Sequence, residues 1–514
     1  MNDRSGARST PATLTFAGLL LAMLLASLDQ TIVSTALPTI VGDLGSLTDL
    51  SWVVTAYLLA ATVSMPIWGR LSDLSGRKLL FQTAIVIFLA GSALSGLAQS
   101  LGELIAFRAL QGLGAGGLMT LAMAIVADIV PPRQRGRYQG YIQLVFVLAS
   151  VAGPLLGGLF VDHLSWRWIF YVNLPIGALA LTVVSTTLHL PVERKRPTID
   201  YAGAALLAAG LTSVLLVATW GGRQYAWGSV TIIGLAVAAI VLLGAFVWQE
   251  QRAAEPILPL RLFRDRVFDV VSLSLFLTAC AFFAAIVFMP LYLQIVTGAD
   301  ATTSGLLLLP LLLGAAASTA ISGRLIVRTG HYKAFPIAGL AVMALGLLLL
   351  SELDATSTRT TACVFVGIFG LGFGLVSQVL VLAIQNAVEP RDIGITTASA
   401  NLFRALGGSL GVAVFGAIFS SRLSHALPRD VPAGAHVDSA RLQASPAAIR
   451  ALPHGVQLGV EHAVASSLHV VFLVAAPFAA LGLIAVLFLR ELPLRDARPA
   501  AGRSPVPTTA DEAR

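Results

Sequence analysis

The chain has 514 residues, 56% of them hydrophobic and 11% charged, with a mean hydropathy of +0.84. Soluble chains carry about 25% charged residues, so a chain this long and this apolar cannot cover a water-facing surface. Its two cysteines, Cys280 and Cys363, lie in apolar runs and exclude a disulfide framework or a multi-cysteine metal site.

Along the chain, fourteen stretches are long and apolar enough to cross a bilayer, which takes about 20 such residues. They are 14–38, 51–69, 79–99, 104–127, 138–160, 169–190, 201–220, 229–248, 270–294, 303–327, 334–351, 362–384, 399–421 and 468–489. Arg4 and Arg8 precede the first, but its apolar run passes Asp29 and reaches Leu37, longer than a signal peptide core. It reads as an uncleaved span. An even number of spans puts both termini on one side, and the loops of that side carry the basic excess. The net charge of +7 therefore marks orientation, with both termini in the cytoplasm, and not nucleic-acid binding.

A repeat divides the chain. Gly69-Arg-Leu-Ser-Asp-Leu-Ser-Gly-Arg-Lys78 follows span 2, and Gly323-Arg-Leu-Ile-Val-Arg-Thr-Gly-His-Tyr332 follows span 10, with Val327 where the first has Asp73. Such repeats mark transporter halves with a substrate site between them near the bilayer midplane. The expected organisation is a tail 1–13, a six-helix bundle 14–190, and a linker 191–269 containing peripheral helices 7 and 8. A second six-helix bundle, 270–489, with an external loop 422–467, and a tail 490–514 complete it.

Deep inside the spans stand Asp29, Arg108 and Arg404. A charge there costs about 2.5–3.5 kcal/mol on insertion scales and usually lines a pathway. Asp29 suits proton uptake and release; a packing carboxyl held by a hydrogen bond is the plainer alternative. Arg108 can pair with a carboxylate, or snorkel to the nearby interface. Asp73, Arg77 and Lys78 lie between the turn-permitting Gly69 and Gly76, with Asp128 a partner for Arg77. Positive-side anchoring explains the basic residues but not Asp73. Gly153, Pro154, Gly157 and Gly158 can bend span 5 and admit a close backbone.

Two further matches fail on context. Gly112-x-Gly114-x-x-Gly117 and Gly407-Gly-Ser409-Leu-Gly411 fit dinucleotide and nucleophile-elbow patterns, but both lie within spans and follow no strand. No phosphate-binding loop or zinc-protease spacing occurs.

Several motifs in order carry a family resemblance. They are Leu28-Asp29-Gln-Thr31-Ile-Val33-Ser-Thr-Ala-Leu37-Pro38, the 69–78 segment, Arg108-Ala-Leu-Gln111-Gly112 and the glycines of span 5. Trp166-Arg-Trp-Ile-Phe170 through Asn173 and Pro175, Pro290-Leu-Tyr292-Leu-Gln294, and Phe403-Arg404-Ala-Leu-Gly407-Gly408 complete the series. The chain resembles the fourteen-helix drug/proton antiporters (EmrB/QacA type) of the major facilitator superfamily over nearly its whole length. The resemblance implies an all-α membrane fold of two six-helix bundles plus an inserted pair, and no enzyme activity. It further implies export of amphipathic or lipophilic compounds across the cell's inner (plasma) membrane, driven by the proton gradient with no bound cofactor or metal.

On that resemblance Arg108 takes part in proton transfer with Asp29. The 69–78 loop latches the outward-facing state, and the span 5 motif seals the exporter against leak. Expected cavity-lining residues are Tyr57, Gln143, Phe146, Phe282, Phe283, Tyr292, Gln294 and Gln385. Export of a native lipid, siderophore or metabolite is an open alternative, and a non-transporting sensor or enzyme a distant one. Some relatives carry an acid in span 10 or 13; 303–327 and 399–421 hold none, which favours monovalent or neutral substrates over divalent cations.

Overall fold

The computed structural model describes residues 9–44, 50–188, 200–222, 224–299, 301–431 and 453–494. Lipid offers no hydrogen-bond partners, so each apolar run must satisfy its own backbone groups, which a helix does within one segment. Among the described residues, fourteen helices long and apolar enough to cross a membrane result. They are α1 Ser9–Leu44, α2 Leu50–Ser75, α3 Arg77–Leu97, α4 Leu101–Ile129, α5 Pro132–His163, α6 Asn173–Thr187 and α7 Tyr201–Trp220. The others are α8 Val230–Glu250, α9 Arg266–Ile295, α10 Leu309–Thr329, α11 Ala334–Ser351, α12 Arg359–Ala387, α13 Ile393–Asp430 and α14 His454–Leu487. Short helical turns at Trp168–Tyr171 and Ala301–Leu307 lead into α6 and α10.

Local chemistry sets many of the ends. The side chains of Ser100, Asp200, Ser229, Asp265 and Thr358 each accept a backbone N–H from the first turn of the helix that follows. The repeat glycines Gly76 and Gly330 both take a positive φ, 93° and 75°, in the turns after α2 and α10, which favours glycine at both places.

Packing repeats too. In the first half α1 lies against α5 and α6, while α2 and α3 both lie on α4. In the second, α9 lies against α13 and α14, while α10 and α11 both lie on α12. The halves meet where α2 crosses α13 and α5 crosses α10, which are equivalent helices under the repeat. Helices α7 and α8 pack on each other outside the bundles. The α7 face with Leu207, Leu211 and Leu215 is buried, and α7 touches α2 and α13. The outer face of α8 stays open, with Val230 88% and Ile240 73% exposed, as lipid-facing groups should be.

Three boundaries differ from expectation. Helix α2 runs on to Ser75, so Asp73 stands on a helix and only Gly76 breaks the chain. Helix α13 continues to Asp430 and α14 begins at His454, so much of the expected loop 422–467 is helical. Hydropathy falls at the lipid boundary, whereas backbone hydrogen bonding can continue into water. The central part of that loop, 432–452, and the tails 1–8 and 495–514 lie outside the described residues.

Candidate functional site

Asp29, on α1, is completely buried, and four helices supply its surroundings. Arg108 Nη1 on α4 donates to Asp29 Oδ2 at 2.6 Å. Gln111 Nε2, one turn further along α4, donates to Oδ1 at 2.8 Å, and Asn173 Nδ2 of α6 donates to the same oxygen at 3.0 Å. Asn173 also donates to Ser92 Oγ of α3 at 2.9 Å, whose hydroxyl donates to Phe170 O at 2.8 Å. Arg108 is held as closely: Nη1 donates to Gln111 Oε1 at 2.7 Å, and the guanidinium lies 4.2 Å from the Tyr57 ring centroid of α2. All donors around Asp29 point at an anion. The i, i+3 spacing of Arg108 and Gln111 makes this possible, since it puts both on one face of α4.

This arrangement resolves the alternatives for Arg108: the side chain is 1% exposed and paired, not snorkelling. Removing one partner of such a buried pair costs about 3–5 kcal/mol, because the other is left charged and unpaired. The motif residues Gln111 and Asn173 act here as ligands of Asp29, a role their positions in the sequence do not disclose.

A second polar cluster lies at the end of the bundle where α1 begins and α14 ends. Asp73 Oδ1 and Oδ2 accept from Gly394 N at 3.0 Å and Ile395 N at 2.8 Å, the first backbone donors of α13. These N–H groups have no intrahelical acceptor, and the helix dipole there favours an anion. Arg77 joins Asp73 at 3.1 Å and Asp128 of α4 at 2.7 Å. The close approach depends on glycine: a Cβ on Gly69 would lie 2.5 Å from Ala398 Cβ, and one on Gly394 2.4 Å from Asp73 Oδ1. Of the residues expected to form a latch, Gly69, Asp73, Arg77 and Asp128 lie together at one crossing of the two halves, with Gly76 in the turn beside them. Lys78 does not join them; its Nζ donates to Ser185 O of α6 at 2.7 Å, within the first half.

The stretch after α8 also reaches this crossing. Arg70 pairs with Glu255, and Arg261 with Asp392 at 2.8 Å, so residues 251–265 bridge α2 and the start of α13. Buried Glu250 fixes the stretch by accepting from Ile257 N and Leu258 N, both at 3.1 Å. At the same end, Asn401 Nδ2 of α13 lies 3.7 Å from Met123 Sδ of α4, and a Cβ on Gly140 of α5 would lie 3.4 Å from Ala320 Cα of α10. A cavity of about 10 Å³, lined by Gln139, Thr319, Ser322 and Gln378 among others, sits between α5, α10 and α12. This is room for about one water molecule. The halves are closed together at this end.

The α5 motif divides. Thr31 Oγ1 donates to Ala149 O at 2.9 Å, and a Cβ on Gly153 would lie 2.1 Å from that hydroxyl. Gly153 is thus where α5 passes α1, two residues beyond Asp29. Gly157 is buried, Gly158 faces open space, and the Pro154 side chain lies outside the description.

The expected cavity group divides as well. Phe146, Phe282 and Phe283 are half-buried, with Phe282 stacked on Phe373 at 4.0 Å. Gln143 is buried on α5. Tyr57 and Tyr292 are instead packed away, because a phenol inside a span seeks a backbone carbonyl: Tyr57 donates to Ala26 O at 3.1 Å and Tyr292 to Asp354 O at 2.7 Å. Gln294 donates to Ser304 Oγ at 3.1 Å near the end of α9, and Gln385 to Thr397 Oγ1 at 3.0 Å, so both NH₂ groups are engaged, while buried Gln385 Oε1 has no partner.

Known proteins match this architecture. The Major Facilitator Superfamily profile matches residues 19–412. An MFS-type transporter of Mycobacterium tuberculosis strain H37Rv, Rv1877, is 44% identical over 94% of this chain and 70% of its own length. The multidrug transporter protein MdtP of Bacillus subtilis strain 168 is 37% identical over 95% of this chain and 94% of its own. Among solved structures, the human organic anion transporter MFSD10 superposes with a TM-score of 0.60 at 16% identity, covering 91% of this chain and 99% of that one. The proton:xylose symporter XylE gives 0.59 at 14% identity, covering 91% and 95%. With the family profile spanning most of the chain and relatives above one-third identity aligned over more than nine-tenths of it, the chain belongs to the major facilitator superfamily as a multi-pass membrane transporter.

Proposed function

We propose that this transporter exports amphipathic or lipophilic small molecules, antibiotics among them, in exchange for protons. It would sit in the plasma membrane with both termini in the cytoplasm, the side that receives the basic loops. The observation that carries the reading is the cluster around Asp29, a carboxylate withdrawn from both aqueous faces and held by Arg108, Gln111 and Asn173. A proton on Asp29 competes with Arg108 for the same oxygen. Protonation then loosens the tie between α1 and α4 and leaves Arg108 to find another partner.

The route from that event to the halves runs through α1. Thr31 holds Ala149 of α5, Gly153 packs on Thr31, and α5 forms one of the two crossings between the halves. A shift of α1 is therefore passed to the α5–α10 contact, while Asp73 of α2, bound to the start of α13, holds the other crossing closed. The multidrug transporter names among its relatives support the substrate class.

The reading is tested in cells lacking their own efflux pumps and expressing the chain. A panel of lipophilic antibiotics should be excluded, an uncoupler should abolish the exclusion, and Asp29→Asn at equal membrane abundance should behave as empty vector. Exclusion that survives the uncoupler would rule out proton drive.

A further inference from the structure

Two of the three charges deep in the spans cancel as the Asp29–Arg108 pair. The third, Arg404, has no such partner: among the described residues no acid stands within ion-pair distance of it. Its Nη2 donates to Asn401 Oδ1 at 2.8 Å. It is half-buried, and none of its nitrogens is sealed off without a partner. The remaining donors therefore keep accessible surface.

Helical periodicity places that surface. Thr397, Asn401, Arg404, Gly408 and Gly411 recur at intervals of three and four, forming one stripe on α13. The stripe faces inward: Thr397 meets Gln385 of α12, Asn401 meets Met123 of the other half, and Gly408 and Gly411 lie against Phe283 and Cys280 of α9. Asn401 belongs to the layer that closes the halves. Arg404 is one turn further from the closed end, on the same stripe and next above that layer. Half-buried Phe282 and Phe283 stand on α9 beyond it.

We propose that Arg404 is an anion-recognition site for the exported compounds, selecting amphipathic molecules that carry a carboxylate beside an apolar or aromatic body. A guanidinium in a span, with no acid to neutralise it, attracts an anion and repels a lipophilic cation placed beside it. The aromatic rings on α9 suit the apolar body of the same molecule. This deepens the export reading by naming a substrate class, and it rests on that reading only in taking the space between the halves as the substrate path.

The test is binding with no proton gradient, so failure of coupling and failure of this proposal are separable. The full chain, in phosphatidylcholine nanodiscs that add no net lipid charge, is titrated with three probes of one body: pyrenebutyrate, its primary amide and pyrenebutylamine. Energy transfer from tryptophan to pyrene reads the bound fraction, with protein-free nanodiscs subtracted. Pyrenebutyrate should bind about tenfold tighter than the amide, as one charge-assisted hydrogen bond implies, and the amine should bind weakest. In Arg404→Gln the carboxylate preference should vanish while amide binding persists, which also reports that the variant is folded; Arg404→Lys should keep part of the preference. Tighter binding of the amine than of the carboxylate by the parent would overturn the proposal. So would an undiminished carboxylate preference in Arg404→Gln.

Discussion

Replacing Asp73 with asparagine changes one atom and tests whether the α2–α13 crossing is a latch. Both carboxylate oxygens accept backbone N–H groups of α13, at 3.0 and 2.8 Å, and the side chain is 2% exposed. A hydrogen bond to a charged group contributes about 1.5–3 kcal/mol, and a carboxylate at a helix N-terminus gains about 0.3–1 kcal/mol more. Asparagine keeps one acceptor oxygen, loses the charge and turns an NH₂ toward the other donor. The expected loss is about 2–3 kcal/mol, which lowers the closed-to-open ratio roughly 30- to 150-fold. Spin labels at Gln134 of α5 and Arg328 of α10, both exposed at this end on opposite halves, report the separation by pulsed electron resonance. The background carries Cys280→Ser and Cys363→Ser. Asp73→Asn should add a longer-distance population that the parent lacks. Superimposable distance distributions for a well-folded Asp73→Asn would refute the latch and leave only anchoring at the membrane face.

Other consequences follow from particular contacts. Gly69→Ala should open the same crossing without touching any charge, since its Cβ would meet Ala398 Cβ at 2.5 Å and Gly394 O at 2.8 Å; the same spin-label pair reads it. Gly153→Ala should lower the melting temperature in detergent, as overpacking a close contact costs about 1–3 kcal/mol, whereas Gly158→Ala, with open space before it, should leave melting unchanged. Arg108→Gln should be strongly destabilising because it strands Asp29, and Asp29→Asn on top of it should restore much of the loss; a double variant no more stable than the single one would contradict the pairing.

The length of the apolar runs was enough to place the fourteen spans found among the described residues, because lipid imposes one solution on such segments. Asp29 and Arg108 were legible as rare charges in apolar surroundings, and Arg77 with Asp128 as opposite charges at adjoining helix ends. Contacts made by backbone were not. The acceptance by Asp73 of the α13 N–H groups leaves no trace at Gly394 or Ile395, since every residue but proline carries that donor. The bridging stretch 251–265 was equally hidden: Glu250, Glu255 and Arg261 read as ordinary loop charges until the fold sets them beside Ile257, Arg70 and Asp392. The two tyrosines misled because an aromatic ring suits a cavity wall, while its hydroxyl is better satisfied in the packed interior.

The claim on which the account rests is that Asp29 carries the exchanged proton. The direct measurement is proton release into the medium of lightly buffered proteoliposomes, on addition of the compound most strongly excluded by cells, for parent, Asp29→Asn and Asp29→Glu at matched protein density. The parent should release protons in proportion to the compound bound. Asp29→Asn, which keeps the shape but cannot titrate, should release none while still binding, and Asp29→Glu should release protons with a shifted pH dependence. Release by Asp29→Asn equal to that of the parent would place the proton carrier elsewhere and contradict the mechanism.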